Sequence, residues 1–335
     1  AERNVISANG RGGIYMEGEF TEGNTISGNF IGTNVSGNAA LGNGDDGIIV
    51  YGDCQKTIIG GSSPDEKNVI AGNGENGITL LNPDVAHNTV RGNYIGTNAA
   101  GTAIIPNIAN GINVGNGAHD NLLGPGNIIA GSGEHGIEIM GNDANNNIIL
   151  GNFIGTNSSS ALDLGNSLSG VYIWGGDILD NTVGPGNVIA YNKDCGVVVN
   201  EDRSLGHRIT RNSIFSNLGE GIDLRNGANN AILPPEITSN AENNYVVEGT
   251  ACSGCTVEIF ASDNTDGEGK TYLGSGSADG AGFFSIRVST LPYPNLTATA
   301  TDAGNNTSEF SEVFVAEMPF PWPMFLPAIQ HQSQQ

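Results

Sequence analysis

One phrase recurs eight times along this chain: an asparagine, an apolar residue, isoleucine, two small or variable residues, then a second asparagine. The first asparagine stands at Asn4, Asn29, Asn68, Asn93, Asn127, Asn152, Asn187 and Asn212, and the isoleucine two residues on at Ile6, Ile31, Ile70, Ile95, Ile129, Ile154, Ile189 and Ile214. The fifth position reads Asn9, Asn34, Asn73, Asn98, then Ser132 as the single break, then Asn157, Asn192 and Asn217. After each phrase comes a glycine followed by Ile or Val, at Gly13, Gly47, Gly77, Gly111, Gly136, Gly170, Gly196 and Gly221. Repeats of this length describe stacked units that bury apolar faces against one another, not one globular core. The first 232 residues are expected to form a solenoid.

Within a repeat the apolar period is two. Gly136-Ile137-Glu138-Ile139 and Gly77-Ile78-Thr79-Leu80 read as short strands with one face buried. A third short strand falls before the next Asn phrase, at Thr25-Ile26, Thr57-Ile59, Thr89-Val90, Leu122-Leu123, Ile148-Leu150, Thr182-Val183 and Ile209-Thr210. Three strands per turn predict a three-sided parallel coil. Asn and Gly suit its corners because both accept positive φ at low cost. Stacked asparagines pass amide hydrogen bonds along the column, which makes their burial tolerable. The variant Ile-Gly-Thr-Asn, at residues 31–34, 95–98 and 154–157, precedes a longer loop, so long and short coils alternate. Eight coils at ~4.8 Å stack to roughly 38 Å.

From Asn4 to about Ala231 the chain resembles the right-handed parallel β-helix proteins of the pectin-lyase-like superfamily, in particular secreted bacterial members with Ile-Gly-Thr-Asn repeats. The resemblance implies the fold; that fold carries lyases, hydrolases, adhesins and inert fibres alike, so activity has to be argued from a site.

The pattern changes at Pro234. Longer alternating strands are expected at Glu236-Thr238, Tyr245-Gly249, Thr256-Phe260, Tyr272-Gly274, Phe283-Val288, Leu296-Ala300 and Ser308-Ser311. This spacing predicts a β-sandwich over 233–317. The segments Gly249-Ala251, Thr256-Phe260, Ala298-Asp302 and Ser308-Ser311 resemble bacterial immunoglobulin-like modules, which implies a spacer or binding domain outside the cell. Residues 318–335 alternate prolines with Phe320, Trp322, Met324, Phe325, Leu326 and Ile329, a composition for extended, docked chain and not for helix.

A formal charge of −23, with only 12 Lys plus Arg, argues against nucleic acid and anionic membrane surfaces as partners. No apolar run is long enough to span a bilayer. The abrupt opening inside a coil is read as a mature N-terminus, and the expected location is extracellular. Cys252 and Cys255 sit in a Ser-Gly turn, where a local disulfide is preferred over redox or zinc roles; Cys54 and Cys195, in distant coils, are expected to stay unpaired within the subunit. No metal or cofactor is expected beyond calcium at the Asp263–Glu268 loop, whose spacing misses the usual calcium-loop pattern.

Candidate chemistry is scattered. Asp45-Asp46 and Glu134-His135 share a corner and echo the paired-Asp and Gly-His-Gly motifs of galacturonan hydrolases, but three rungs, roughly 14 Å, separate them. Hydrolytic carboxylate pairs need ~5–10 Å. The densest local group is Glu201, Asp202, Arg203, His207, Arg208 and Arg211, with Asp223 and Arg225 beyond; these are weak catalytic candidates or a charged rim sealing the solenoid against the next domain. Tyr15, Tyr51, Tyr172 and Trp174 lie near Gly-Ile strands but in separated coils.

Two functions of different class follow. One is an extracellular structural protein assembling head to tail with itself into a filament or surface layer. Its contacts would be Asn4, Val5, Ile6, Ile14 and Met16 at one end and the apolar tail at the other. The alternative is a secreted polysaccharide-active lyase or hydrolase, or a carbohydrate-binding adhesin.

Overall fold

The computed structural model describes residues 3–241 and 245–316; the apolar tail from Phe320 to Ile329 lies outside the described residues. The repeats form three parallel sheets of eight, eight and seven strands, each running the length of the solenoid in register, the arrangement of a parallel β-helix. The first sheet holds the Asn-phrase strands from Val5–Ile6 to Ser213–Phe215, and the second the Gly-Ile strands from Ile14–Met16 to Ile222–Arg225. Strands from Thr25–Ile26 to Arg208–Ile209 make the third. Most strands of the first and third sheets have two residues, too short to persist alone, so the stack itself supplies their stability.

Register explains the isoleucine column. Ile6, Ile31, Ile70, Ile95, Ile129, Ile154, Ile189 and Ile214 are successive backbone partners, and from Ile31 onward all are buried. The Gly-Ile glycines answer to this column. A Cβ on Gly136 would stand 2.7 Å from Ile154 Cγ2 and 2.7 Å from the Gly170 carbonyl oxygen. The isoleucine of the next coil therefore occupies the space a side chain would need.

Three asparagine columns run through the corners. In the first, each Nδ2 reaches the Oδ1 of the next coil, from Asn4 to Asn29 at 2.9 Å, then Asn68, Asn93, Asn127, Asn152, Asn187 and Asn212. The second column departs from the sequence reading. It runs Asn9, Asn43, Asn73, Asn107, then Ser132, Asn166, Asn192 and Asn217. Asn34, Asn98 and Asn157 are not members. Their Oδ1 atoms hold turns within the long-coil loops, on the backbone N–H of Asn38, of Thr102 and of Ala161. The chain excurses there before it returns to the corner, so the ladder resumes about nine residues later, as at Asn43. A third column, unread in the sequence, links Asn88, Asn121 and Asn147.

The C-terminal region packs two antiparallel sheets as a β-sandwich. One contains Glu236–Ala241, Val246–Thr250 and Phe283–Arg287; the other contains Thr271–Ser277, Thr256–Ser262, Asn295–Thr301 and Phe314–Val315. Ser308–Ser311 is not a ladder strand. The Ser308 and Ser311 hydroxyls accept the Ala300 and Ala298 N–H groups, which lets Phe310 turn onto the solenoid core and the Phe260 ring. Cys252 and Cys255 are disulfide-bonded, while Cys54 and Cys195 are buried free thiols.

Candidate functional site

Two surfaces bring chemically active side chains together: the corner preceding the Gly-Ile strands with the outer face of that sheet, and the last coil where the sandwich meets it. Every second residue of a Gly-Ile strand points outward, which places Glu138, Tyr172 and Trp174 on the outer face. Glu138 is the backbone partner of Tyr172, one coil on. Its Oε1 accepts from Trp174 Nε1 at 2.8 Å, and its Oε2 from Asn110 and Asn113 Nδ2 at 2.8 and 3.0 Å. Burial raises the Glu138 carboxyl above its ordinary value and these donors pull it back down. With both oxygens occupied, Glu138 anchors neighbouring coils and is not a free base.

Asp46 and His135 lie in the same corner column, and both are held by backbone. Asp46 Oδ1 accepts the Asn76 N–H, Asn76 Oδ1 accepts that of Asn110, and Asn110 Oδ1 accepts that of His135, at 2.8 to 3.0 Å. His135 Nδ1 accepts the Ser169 N–H at 3.2 Å, and its ring stacks on Tyr172 at 4.5 Å. Burial holds this imidazole down to about 4; Asp194 works against that shift and Arg225 with it. One member of each motif-like pair, Asp46 and His135, is thus a step of one polar column.

The group around His207 is dispersed. His207 itself is fully buried and continues the third asparagine column: its Nδ1 accepts the Asn181 N–H at 3.3 Å and its Nε2 faces Ser204 Oγ at 2.9 Å. Those partners fix the proton on Nε2. Burial pushes the imidazole down to about 4. Arg203 turns back to Asp177 of the preceding coil, Arg225 pairs with Asp223 at 2.6 Å, and Arg211 approaches Glu258 of the sandwich at 3.8 Å. Asp202 and Arg208 are exposed and Glu201 half-buried.

At the last coil the sandwich meets the end of all three parallel sheets. The Ile214 N–H donates to the Gly269 carbonyl, the Leu224 N–H to Glu309 Oε1, and the Ile209 N–H to Thr307 Oγ1. Glu258 accepts from Thr210 Oγ1 and the Arg211 N–H at 2.6 and 2.9 Å, and Glu268 accepts twice from Asn217. Open strand ends carry unpaired donors, and the side-chain oxygens of these acids accept them, which closes the solenoid chemically. Burial pushes Glu268 up to about 8, against the two bonds from Asn217.

The expected calcium loop has other partners. Asp263 pairs with Lys270 at 2.6 Å, Asp266 Oδ1 accepts the Glu268 N–H, and Glu268 faces Asn217. Beside it, Glu220, Asp223 and Glu309 each bring an oxygen within 4.8 Å of the others, a donor set of the type divalent cations accept. What sequence reasoning missed is the third column and the role of Glu138. The period-two pattern exposes Glu138, but only the register across the loop at 141–170 sets Trp174 beside it.

No family model matches the chain, and no curated protein matches it. Among the described residues no helix is long and apolar enough to cross a membrane.

Proposed function

We propose that this chain is an extracellular structural protein: a right-handed, eight-coil β-helix of the pectin-lyase-like kind closed at one end by an immunoglobulin-like domain. One observation carries the reading. Asp46, His135 and His207, the side chains most like catalytic groups, each accept a backbone N–H from the adjacent coil. In each, that acceptor atom is engaged in holding coils together. The test is turnover on polygalacturonate and alginate, measured as unsaturated or reducing ends; none is expected. Product release abolished by Arg208→Ala or His207→Ala would replace this reading with the polysaccharide-active one.

Self-assembly is supported by the first described coil. Among the described residues, Val5–Ile6 and Ile14–Met16 each pair with one neighbouring strand, Val5 is 41% exposed, and Ile6, Ile14 and Met16 are half-buried against the core. A second copy meeting this edge would extend both sheets by strand pairing. Because the sandwich closes the opposite end, coils of two copies would not stack directly. Contact would run through the sandwich or the segment beyond Ala316. Sedimentation and electron microscopy of the full chain and of a chain lacking residues 319–335 test this: filaments from the first alone support it, and a full chain that stays monomeric at high concentration refutes it.

A further inference from the structure

The chain has five histidines. His135 and His207 are engaged in the polar columns, and His331 lies outside the described residues. The other two, His87 and His119, meet at the corner where the chain enters the third sheet. Stacked backbone brings them there. Ala86 bridges to His119, the His119 N–H donates to the Val85 carbonyl at 3.2 Å, and Asn88 Nδ2 donates to Asn121 Oδ1 at 3.0 Å. His87 is exposed and left-handed at φ 57°, and Asp120 takes the same conformation one coil on, at φ 54°. Side chains a whole coil apart in the sequence thus become neighbours on the surface.

The two ring centres are 6.3 Å apart, edge to face at 81°. His119 Nδ1 lies 2.6 Å from Asp120 Oδ2. A carboxylate only accepts, so Nδ1 carries the proton and the neutral ring keeps its lone pair on Nε2. His119 Nε2 and both ring nitrogens of His87 have no hydrogen-bond partner among the described residues. A histidine held through one nitrogen by a carboxylate, with the other nitrogen free, is the arrangement by which proteins orient a metal ligand and raise its basicity. Metal–imidazole bonds are about 2 Å long, so one ion between the rings spans most of the gap, and rotation of the exposed His87 side chain closes the rest. Lys56, whose N–H donates to the Ala86 carbonyl, brings the cation of the preceding coil, and its Nζ is turned away to Glu22 at 2.6 Å.

We propose that His87 and His119 form a binding site for a divalent transition cation, with Asp120 as the residue that positions His119. His119 Nε2 and one ring nitrogen of His87 are the ligands, and water completes the coordination. Copper(II), nickel and zinc accept imidazole, whereas calcium and magnesium take oxygen ligands. The site is therefore chemically distinct from the Glu220, Asp223 and Glu309 group at the sandwich, which offers oxygen alone. A chain charge of −23 draws cations to the surface. Because the two ligands come from successive coils, the bound ion clips one coil to the next, and by linkage it stabilises the folded chain.

Isothermal titration of the full chain with copper(II), nickel and zinc chlorides, in excess calcium to fill the oxygen sites, tests the proposal. Saturable binding is expected, with copper(II) bound most tightly. His87→Gln and His119→Gln should each weaken it by about tenfold or more, and Asp120→Asn by about tenfold. His331→Gln should leave it unchanged. Thermal melting without metal confirms that each variant folds, and added nickel should raise the melting temperature of the parent but not of His87→Gln. Absence of saturable binding by all three ions, undiminished binding by a well-folded His87 or His119 variant, or loss of binding on substitution of His331 alone overturns the proposal.

Discussion

Asn217 donates its backbone N–H and its Nδ2 to the two carboxylate oxygens of Glu268, at 3.1 and 2.8 Å, so a column of solenoid asparagines ends on an acid from the other domain. Donors along this column point toward the C-terminal end. Another asparagine there would repeat the same acceptor and donor pattern, whereas the Glu268 side chain accepts both Asn217 donors and ends the series. Glu258 and Glu309 do the same for Arg211 and Leu224. The sandwich is therefore part of the solenoid's stability.

Replacing Glu268 by Ala leaves the Asn217 N–H without its acceptor and Nδ2 with the Ile189 carbonyl alone, and should destabilise the chain by about 2–3 kcal/mol in denaturant unfolding. Glu268→Gln keeps one acceptor and should cost less. Equal stability of the Ala variant and the parent would show that the cap is not coupled to the coils.

The raised Glu268 carboxyl sets a pH dependence. Its folded value of about 8 lies above the ordinary 4.5, so unfolding releases a proton between them. Stability from this group is full below pH 4.5 and is lost as pH rises through 8, by on the order of 5 kcal/mol. Asp266 acts in the same direction by repelling the ionised form. Melting temperature measured from pH 4.5 to 8 should fall less steeply in Glu268→Gln.

His207 acts with the opposite sign. Its folded value of about 4 lies below 6.5, so unfolding takes up a proton between them. Stability falls as pH drops from 6.5 toward 4, by on the order of 3 kcal/mol. His207→Asn restores the residue type of its column and should remove this acid sensitivity. An unchanged acid limb in that variant would mean that the buried imidazole is not its source.

Asn127 accepts from Asn93 and donates to the Val90 carbonyl and to Asn152. Asn127→Ala should cost about 2 kcal/mol, read from chemical unfolding. Gly136→Ala should cost about 3 kcal/mol or more, because the added methyl meets backbone and Ile154 where neither can yield.

The repeat phrase, the isoleucine column, the period-two Gly-Ile strands and the change of pattern near Pro234 were legible in the residues, because each is a local signal multiplied by repetition. Even so, Asn34, Asn98 and Asn157 misled: they match the phrase but hold loop turns, and Asn43, Asn107 and Asn166 carry the column instead. Local spacing does not reveal how far a loop excurses before the chain returns to its corner. Only the tertiary structure decided that His207 is a column member, that Trp174 donates to Glu138, and that Glu258, Glu268 and Glu309 close the last coil. Those pairings join residues from different coils or domains. Their formation depends on the three-dimensional register of the stack, which no window of the sequence contains.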